Sequence, residues 1–94
     1  MPRFFTMVKP IYLITDPETG AQQLCRSAVK AVREYCKIWN YDIVKYRNGD
    51  MNLWAMGRKP LGIYAEDGDF IASGNTYVEL AQQFVDARDG LSLF

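Results

Sequence analysis

Hydrophobic residues along this chain recur at two periods, and the change from one to the other marks its predicted elements. Residues 10–15 form an apolar run rich in β-branched and aromatic side chains, which predicts a first strand. Residues 21–39 carry apolar side chains three and four positions apart, which predicts a helix with one buried stripe. After residue 40 the apolar positions alternate, so we expect the chain to continue as strands.

The alternating part of the chain predicts a four-stranded antiparallel meander. Asn48-Gly49 and Asp67-Gly68 are residue pairs typical of two-residue hairpin turns, and each lies between two alternating segments. The predicted strands are residues 41–47, 50–56, 61–66 and 69–73.

A second amphipathic helix is predicted after the meander. Thr76 and Glu79 have the spacing of a capping box, as do Thr19 and Gln22 before the first helix. Gly90 can end the second helix with left-handed backbone angles. One face of this helix comprises Tyr77, Leu80, Ala81, Phe84 and Arg88.

Both helices need an apolar surface, and the predicted sheet is the only one large enough to provide it. We therefore predict an α+β two-layer sandwich in the order β-α-β-β-β-β-α, with a mainly antiparallel sheet and two helices on one face. The sequence shows no repeat, linker or low-complexity segment. We expect one small domain over residues 1–94, whose apolar ends, 1–8 and 91–94, fray unless the core or an oligomer interface covers them.

Length and composition are those of a small globular protein. The chain has 94 residues, of which 49% are hydrophobic and 23% charged, enough apolar mass to form a core. No apolar run reaches the roughly 18–20 residues of a membrane span, and the first residues lack the apolar centre of a signal peptide. We expect a cytoplasmic protein that makes no membrane contact.

The motifs that mark most catalytic and metal sites are missing from the sequence. The chain has no His, so it lacks the commonest general base and zinc ligand. Cys25 and Cys36 lie about 16 Å apart along the predicted first helix, too far apart for a disulfide. The acidic turn at residues 66–69 lacks the spacing of a calcium loop, and no nucleotide-binding glycine motif is present. We predict a protein that is not an enzyme and has no catalytic residue, cofactor or metal.

Charge is distributed unevenly along the chain although the net charge is zero. Ten of the eleven Lys and Arg residues precede position 61, whereas six of the eleven carboxylates follow position 60. Four cations in the predicted first helix are spaced four, three and four positions apart, so they form one basic ridge on its outer face. The ridge comprises Arg26, Lys30, Arg33 and Lys37.

This ridge predicts binding to an acidic surface on a larger protein or protein complex. We expect a small non-catalytic interaction module, such as a phage or mobile-element inhibitor or modulator of a host complex. Nucleic acid is the alternative partner for the same ridge. The zero net charge and a pI near 6.2 favour a protein as the partner. The predicted contact residues are Arg26, Lys30, Arg33, Lys37, Lys45, Arg47, Trp54, Arg58 and Lys59.

Other interpretations of the same surfaces remain open at this point. The basic ridge could be a solvated helix face, or it could meet the acidic C-terminal third of a second copy in a homo-oligomer. The strand aromatics could stack on nucleic-acid bases, although they match no RNA-binding signature, or they could fill a core or a protein interface. These aromatics are Tyr41, Tyr46, Trp54 and Tyr64.

Overall fold

The chain folds as a small α+β protein, in a computed structural model that describes residues 11–47, 49–87 and 90–93. The described residues form two antiparallel three-stranded sheets and three helices. The strands are β1 (Tyr12–Thr15), β2 (Gln22–Cys25), β3 (Asp42–Lys45), β4 (Leu61–Tyr64), β5 (Phe70–Gly74) and β6 (Leu91–Leu93). The helices are α1 (Ala28–Trp39), α2 (Met51–Ala55) and α3 (Tyr77–Ala87).

These elements form two halves that repeat one order, a hairpin followed by a helix and a strand. The first half is β1-β2-α1-β3 and the second is β4-β5-α3-β6, with α2 in the connection between them. Ser27 and Thr76, 49 positions apart, both precede a helix and accept a hydrogen bond from a backbone N–H of its first turn. Residues 12–38 and 61–87 are identical at only two of 27 positions, so the repeat is not visible in the sequence.

Each half contributes its last strand to the sheet of the other half. The strand orders are β2-β1-β6 and β3-β4-β5, so β3 pairs with β4 and β6 pairs with β1. Ile43 lies opposite Ile63, and Leu91 lies opposite Ile14 at the equivalent place in the other sheet. Because neither half completes its own sheet, the two halves are interlocked through strand exchange.

The core is shared by both sheets and by the two long helices. Tyr35 of α1 and Phe84 of α3 occupy equivalent positions in the two halves, and their rings stack with centroids 4.6 Å apart. Ile14 and Ile63 lie in the same cluster of buried side chains, one from each sheet. The stacked rings of Tyr35 and Phe84 therefore join the two halves within this shared core.

The predicted first helix begins seven residues too early, because residues 22–25 form a strand. The Asp16 carboxylate accepts a hydrogen bond from Glu18 N–H (2.9 Å), and Asp16 N–H donates to Ala21 O (2.8 Å), which closes a β1–β2 hairpin. The Thr19 hydroxyl serves this turn, accepting from Ala21 N–H (3.2 Å), and does not cap a helix. Helix α1 starts instead after Ser27, whose hydroxyl accepts from Lys30 N–H.

The predicted strand at residues 50–56 is also wrong, because this segment contains α2. The Asp50 carboxylate accepts a hydrogen bond from Leu53 N–H (3.3 Å), so Asp50 caps a helix and does not continue a hairpin. Strand β3 consequently pairs with β4, across a long connection that contains α2. The single meander and the order β-α-β-β-β-β-α are thus replaced by two sheets and the repeated order given above.

Three other expectations are confirmed: the α+β class, the antiparallel pairing and the second helix, which forms as α3. The β4–β5 hairpin also forms around Asp67-Gly68, where Gly68 has a φ of 91°. Arg88 and residues 1–8 lie outside the described part of the chain, and Leu91–Leu93 pairs with β1 as β6. In the described part of the chain, no helix is long and apolar enough to cross a membrane.

Candidate functional site

Strand β3 lies at the edge of its sheet and has one described neighbour, β4. Tyr46 N–H donates to Pro60 O (2.6 Å). This bond identifies the hydrogen-bonded residue pairs of the β3–β4 ladder. Such pairs alternate along antiparallel strands, so Val44 and Asp42 also bond to β4 whereas Ile43 and Lys45 do not. The backbone N–H and C=O groups of Ile43 and Lys45 therefore point away from β4, along the open edge.

A groove of about 590 Å³ runs along this open edge, between β3 and the C-terminal part of α1. We call it the cationic groove. Its lining includes the apolar and aromatic side chains of Tyr41, Ile43 and Tyr77. The lining residues are Arg33, Cys36, Lys37, Tyr41, Asp42, Ile43, Lys45 and Tyr77.

The charge of the cationic groove is positive, since Arg33, Lys37 and Lys45 outnumber the single carboxylate of Asp42. Lys37 makes one ion pair with Glu34 (3.8 Å), but an exposed pair of this kind contributes little to stability. Within the described residues, Arg33 and Lys45 have no carboxylate within 4.0 Å. Two of the three cations therefore have no carboxylate partner among the described residues and can meet an anionic ligand.

A second, smaller cavity of about 330 Å³ adjoins the groove and shares Lys45 and Tyr77 with it. The Lys45 Nζ lies 5.5 Å from the centroid of the Tyr77 ring, a cation–π geometry. This contact links β3 to the first residue of α3.

The positive charge belongs to the first half of the repeat alone. Residues 49 positions after Lys30 and Lys37 are Glu79 and Asp86, and the residue equivalent to Arg33 is Gln82. The positions that are basic on α1 are therefore acidic or neutral in the sequence of α3.

The structure brings together three of the predicted contact residues and separates the others. Arg33, Lys37 and Lys45 line the cationic groove. Arg26 is exposed but precedes Ser27, the cap of α1, so it is not part of the helix. The predicted ridge of four helical cations is therefore reduced to Lys30, Arg33 and Lys37. The remaining predicted residues lie in the connection between β3 and β4, and they are Arg47, Trp54, Arg58 and Lys59. The side chain of Trp54 is outside the described part of the structure.

Sequence reasoning missed the apolar part of the groove and the open strand edge. Ile43 and Tyr77 come from different halves of the chain, and nothing local links them. The alternation after residue 40 did indicate a strand there, but strand order determines whether that strand lies at an edge.

A separate cluster covers the opposite face of the β3-β4-β5 sheet. The Arg58 guanidinium lies 5.1 Å from the Tyr64 ring centroid and 4.7 Å from that of Phe70. The hydroxyls of Tyr46 and Tyr64 are hydrogen-bonded, and both rings cover Gly62, where a Cβ would lie 3.1 Å from each. The predicted aromatic set therefore divides, because Tyr46 and Tyr64 meet here whereas Tyr41 lines the cationic groove.

Tyr46 is expected to ionise at higher pH than an ordinary tyrosine. The hydrogen bond with Tyr64 is the main cause that raises the pKa of Tyr46 above 10, and partial burial adds to it. A raised pKa in the folded state stabilises the fold below pH 10 and loses that contribution as the pH rises through the folded-state pKa. Titration of phenolate absorbance at 295 nm, for wild type and Tyr46→Phe, should give a difference curve centred above pH 10. A difference curve centred at or below pH 10 would contradict this assignment.

Both cysteines are buried and free, so we expect them to be unreactive in the folded protein. Burial raises the pKa of Cys36 to about 12, and burial is also the main cause that raises the pKa of Cys25. Because the thiolate is the nucleophile, a disulfide reagent at pH 8 should label neither thiol in buffer and both in denaturant. Fast labelling of either thiol in buffer would mean that the β2 or α1 packing is wrong.

Comparisons with known proteins add no further assignment. No protein-family model, no curated protein and no solved structure matches the chain. Among the described residues, no group of three or more His, Cys, Asp or Glu side chains could hold a metal ion. The candidate site therefore rests on the geometry and charge of the cationic groove.

Proposed function

We propose that this protein is a non-catalytic binding module that captures an acidic segment of a larger protein in the cationic groove. The observation that carries the proposal is the convergence of Arg33, Lys37 and Lys45 on a groove at an open strand edge. Binding at this place would cover an acidic surface of the partner, so the expected role is that of an inhibitor or modulator of the partner.

The size and composition of the groove support a peptide segment as its ligand. A volume of about 590 Å³ lies within the range of pockets that hold a drug-sized ligand, and a short peptide segment has a similar size. Ile43 and Tyr77 offer apolar contact area, while the cations around them favour carboxylates. The one carboxylate in the groove, Asp42, leaves a net positive charge.

Protein is favoured over nucleic acid because the cations form a compact group on an otherwise balanced chain. Binding to a nucleic-acid backbone usually needs a basic face much larger than three residues, and the formal net charge here is zero.

The proposal is tested by affinity capture from nuclease-treated and untreated cell lysate. The groove-reversed variant carries Arg33→Glu, Lys37→Glu and Lys45→Glu. A matched control variant carries the same change of charge away from the groove, at Arg26, Lys30 and Lys59, all exposed. We expect wild type and the control variant to retain one protein in stoichiometric amount, with or without nuclease, and the groove-reversed variant to lose it.

Two results would overturn the proposal. Loss of the captured protein after nuclease would assign the surface to nucleic acid. Equal capture by wild type and the groove-reversed variant would show that the groove is not the contact surface.

A further inference from the structure

We infer that the acidic segment binds as an added strand along the open edge of β3, with carboxylates at every second residue. This inference rests on the proposed function and names the conformation and pattern of the ligand. Its three supports are the unpaired backbone of β3, the direction of the β3 side chains and the charge of the groove.

Within the described residues, β3 has a row of four backbone groups that have no hydrogen-bond partner. They are the N–H and C=O of Ile43 and of Lys45, which the ladder with β4 leaves pointing outward. An extended backbone is the ligand conformation that can pair with such a row, as in recognition by strand addition. The cationic groove lies along the same edge, so the added strand would occupy it.

The side chains of the same two residues face the groove. Ile43 and Lys45 lie opposite Ile63 and Leu61, which are buried in the core under the helices, so all four share the helix-facing side of the sheet. Side chains of an added strand alternate between the two faces in the same way. Every second residue of the ligand would therefore point at the cations of the groove.

A second copy of this chain fits the edge less well than an acidic segment does. In antiparallel self-pairing, the outward hydrogen-bonding residues of one copy, Ile43 and Lys45, must lie opposite the same class of residue in the other copy, which prevents Asp42 from lying opposite Lys45. Self-pairing would also bring two positively charged grooves together. Charge complementarity thus favours an acidic partner.

The inference is tested with a synthetic peptide in which Thr and Glu alternate over seven residues, fluorescently labelled and read by anisotropy against the full chain. Two modified peptides carry N-methyl groups, one at all Glu residues and the other at the internal Thr residues. Methylation removes the N–H donors of alternate residues, and only one set faces β3. We expect one modified peptide to bind about tenfold or more weakly and the other to bind like the parent, because each lost donor leaves a carbonyl oxygen of β3 without its hydrogen bond.

A second pair of variants tests the same point on the protein. Lys45→Pro removes both the cation and the outward N–H, whereas Lys45→Ala removes the cation alone. Pro is tolerated where a strand N–H is not in the ladder, and circular dichroism would verify that each variant is folded. We expect Lys45→Pro to bind the parent peptide more weakly than Lys45→Ala does.

The outcomes separate this inference from the proposed function. If both methylated peptides lost the same affinity while the groove-reversed variant still failed to bind, strand addition would be wrong. The proposed capture of acidic segments would remain supported. No binding of any acidic peptide, together with a dimer of the free protein in light scattering, would overturn both and assign the edge to self-association.

Discussion

Replacing Phe84 by Ala is expected to lower the free energy of unfolding by about 3–5 kcal/mol, the cost of truncating a buried aromatic residue. Phe84 is 2% exposed and stacks on Tyr35, which is fully buried, at the contact between α1 and α3. Because the two halves exchange strands, loosening this pair weakens both sheets at once. Chemical denaturation followed by circular dichroism measures the loss.

The matched control for this prediction is the same substitution at an exposed aromatic residue. Phe70 is 44% exposed and contacts Tyr64 and Arg58 outside the core. Phe70→Ala should cost about 1 kcal/mol, since it removes surface contacts without opening a cavity. Similar losses for both variants would contradict the central position of Phe84.

The groove-reversed variant is expected to bind an acidic peptide about 100-fold more weakly than wild type. Each exposed cation contributes at most about 1 kcal/mol, so three reversals remove about 3 kcal/mol, close to two factors of ten. The wild-type affinity should also fall as salt rises, because exposed charges are screened. Anisotropy titrations of the alternating peptide at two salt concentrations measure both effects.

The control variant with Glu at Arg26, Lys30 and Lys59 distinguishes local contact from the overall field. It has the same net charge as the groove-reversed variant, but none of its three positions lines the groove. We expect its affinity to stay within about tenfold of wild type, because exposed charges that do not touch the ligand contribute less than direct contacts and are screened by salt. An equal loss in both variants would indicate long-range attraction without a defined site.

The sequence predicts the local elements best where caps and periodicity agree. Helix α3 has both the Thr76 cap and an apolar face, and the β4–β5 hairpin has Asp67-Gly68 at its turn. Strand β2 was missed because Leu24 and Cys25 fit the helical spacing of α1. In the structure Leu24 is 57% exposed and Cys25 is buried, so Leu24 does not belong to the buried stripe predicted for the helix.

The pairing of distant strands could not be predicted from these local signals. Strand exchange depends on β6 reaching β1 across most of the chain, and on α2 replacing the hairpin predicted at Asn48-Gly49. The halves share an order but almost no identical residues, so the repeat gives no sequence signal.

The candidate site was predicted in its charges but not in its shape. Arg33 and Lys37 were expected on one helical face, and they do lie side by side. Lys45 joins them because β3 packs beside α1, and the open edge exists because β3 is the last strand of the other half's sheet. Both facts depend on strand exchange.

The most direct test of the account is a nuclear magnetic resonance titration of the isotope-labelled full chain with the alternating Thr and Glu peptide. The account predicts that backbone amide shifts change at Ile43 and Lys45, in the C-terminal half of α1 and at Tyr77, while those of α2 and the β1–β2 hairpin stay constant. Shift changes centred elsewhere, or none at millimolar peptide, would contradict the claim that the cationic groove is the binding site.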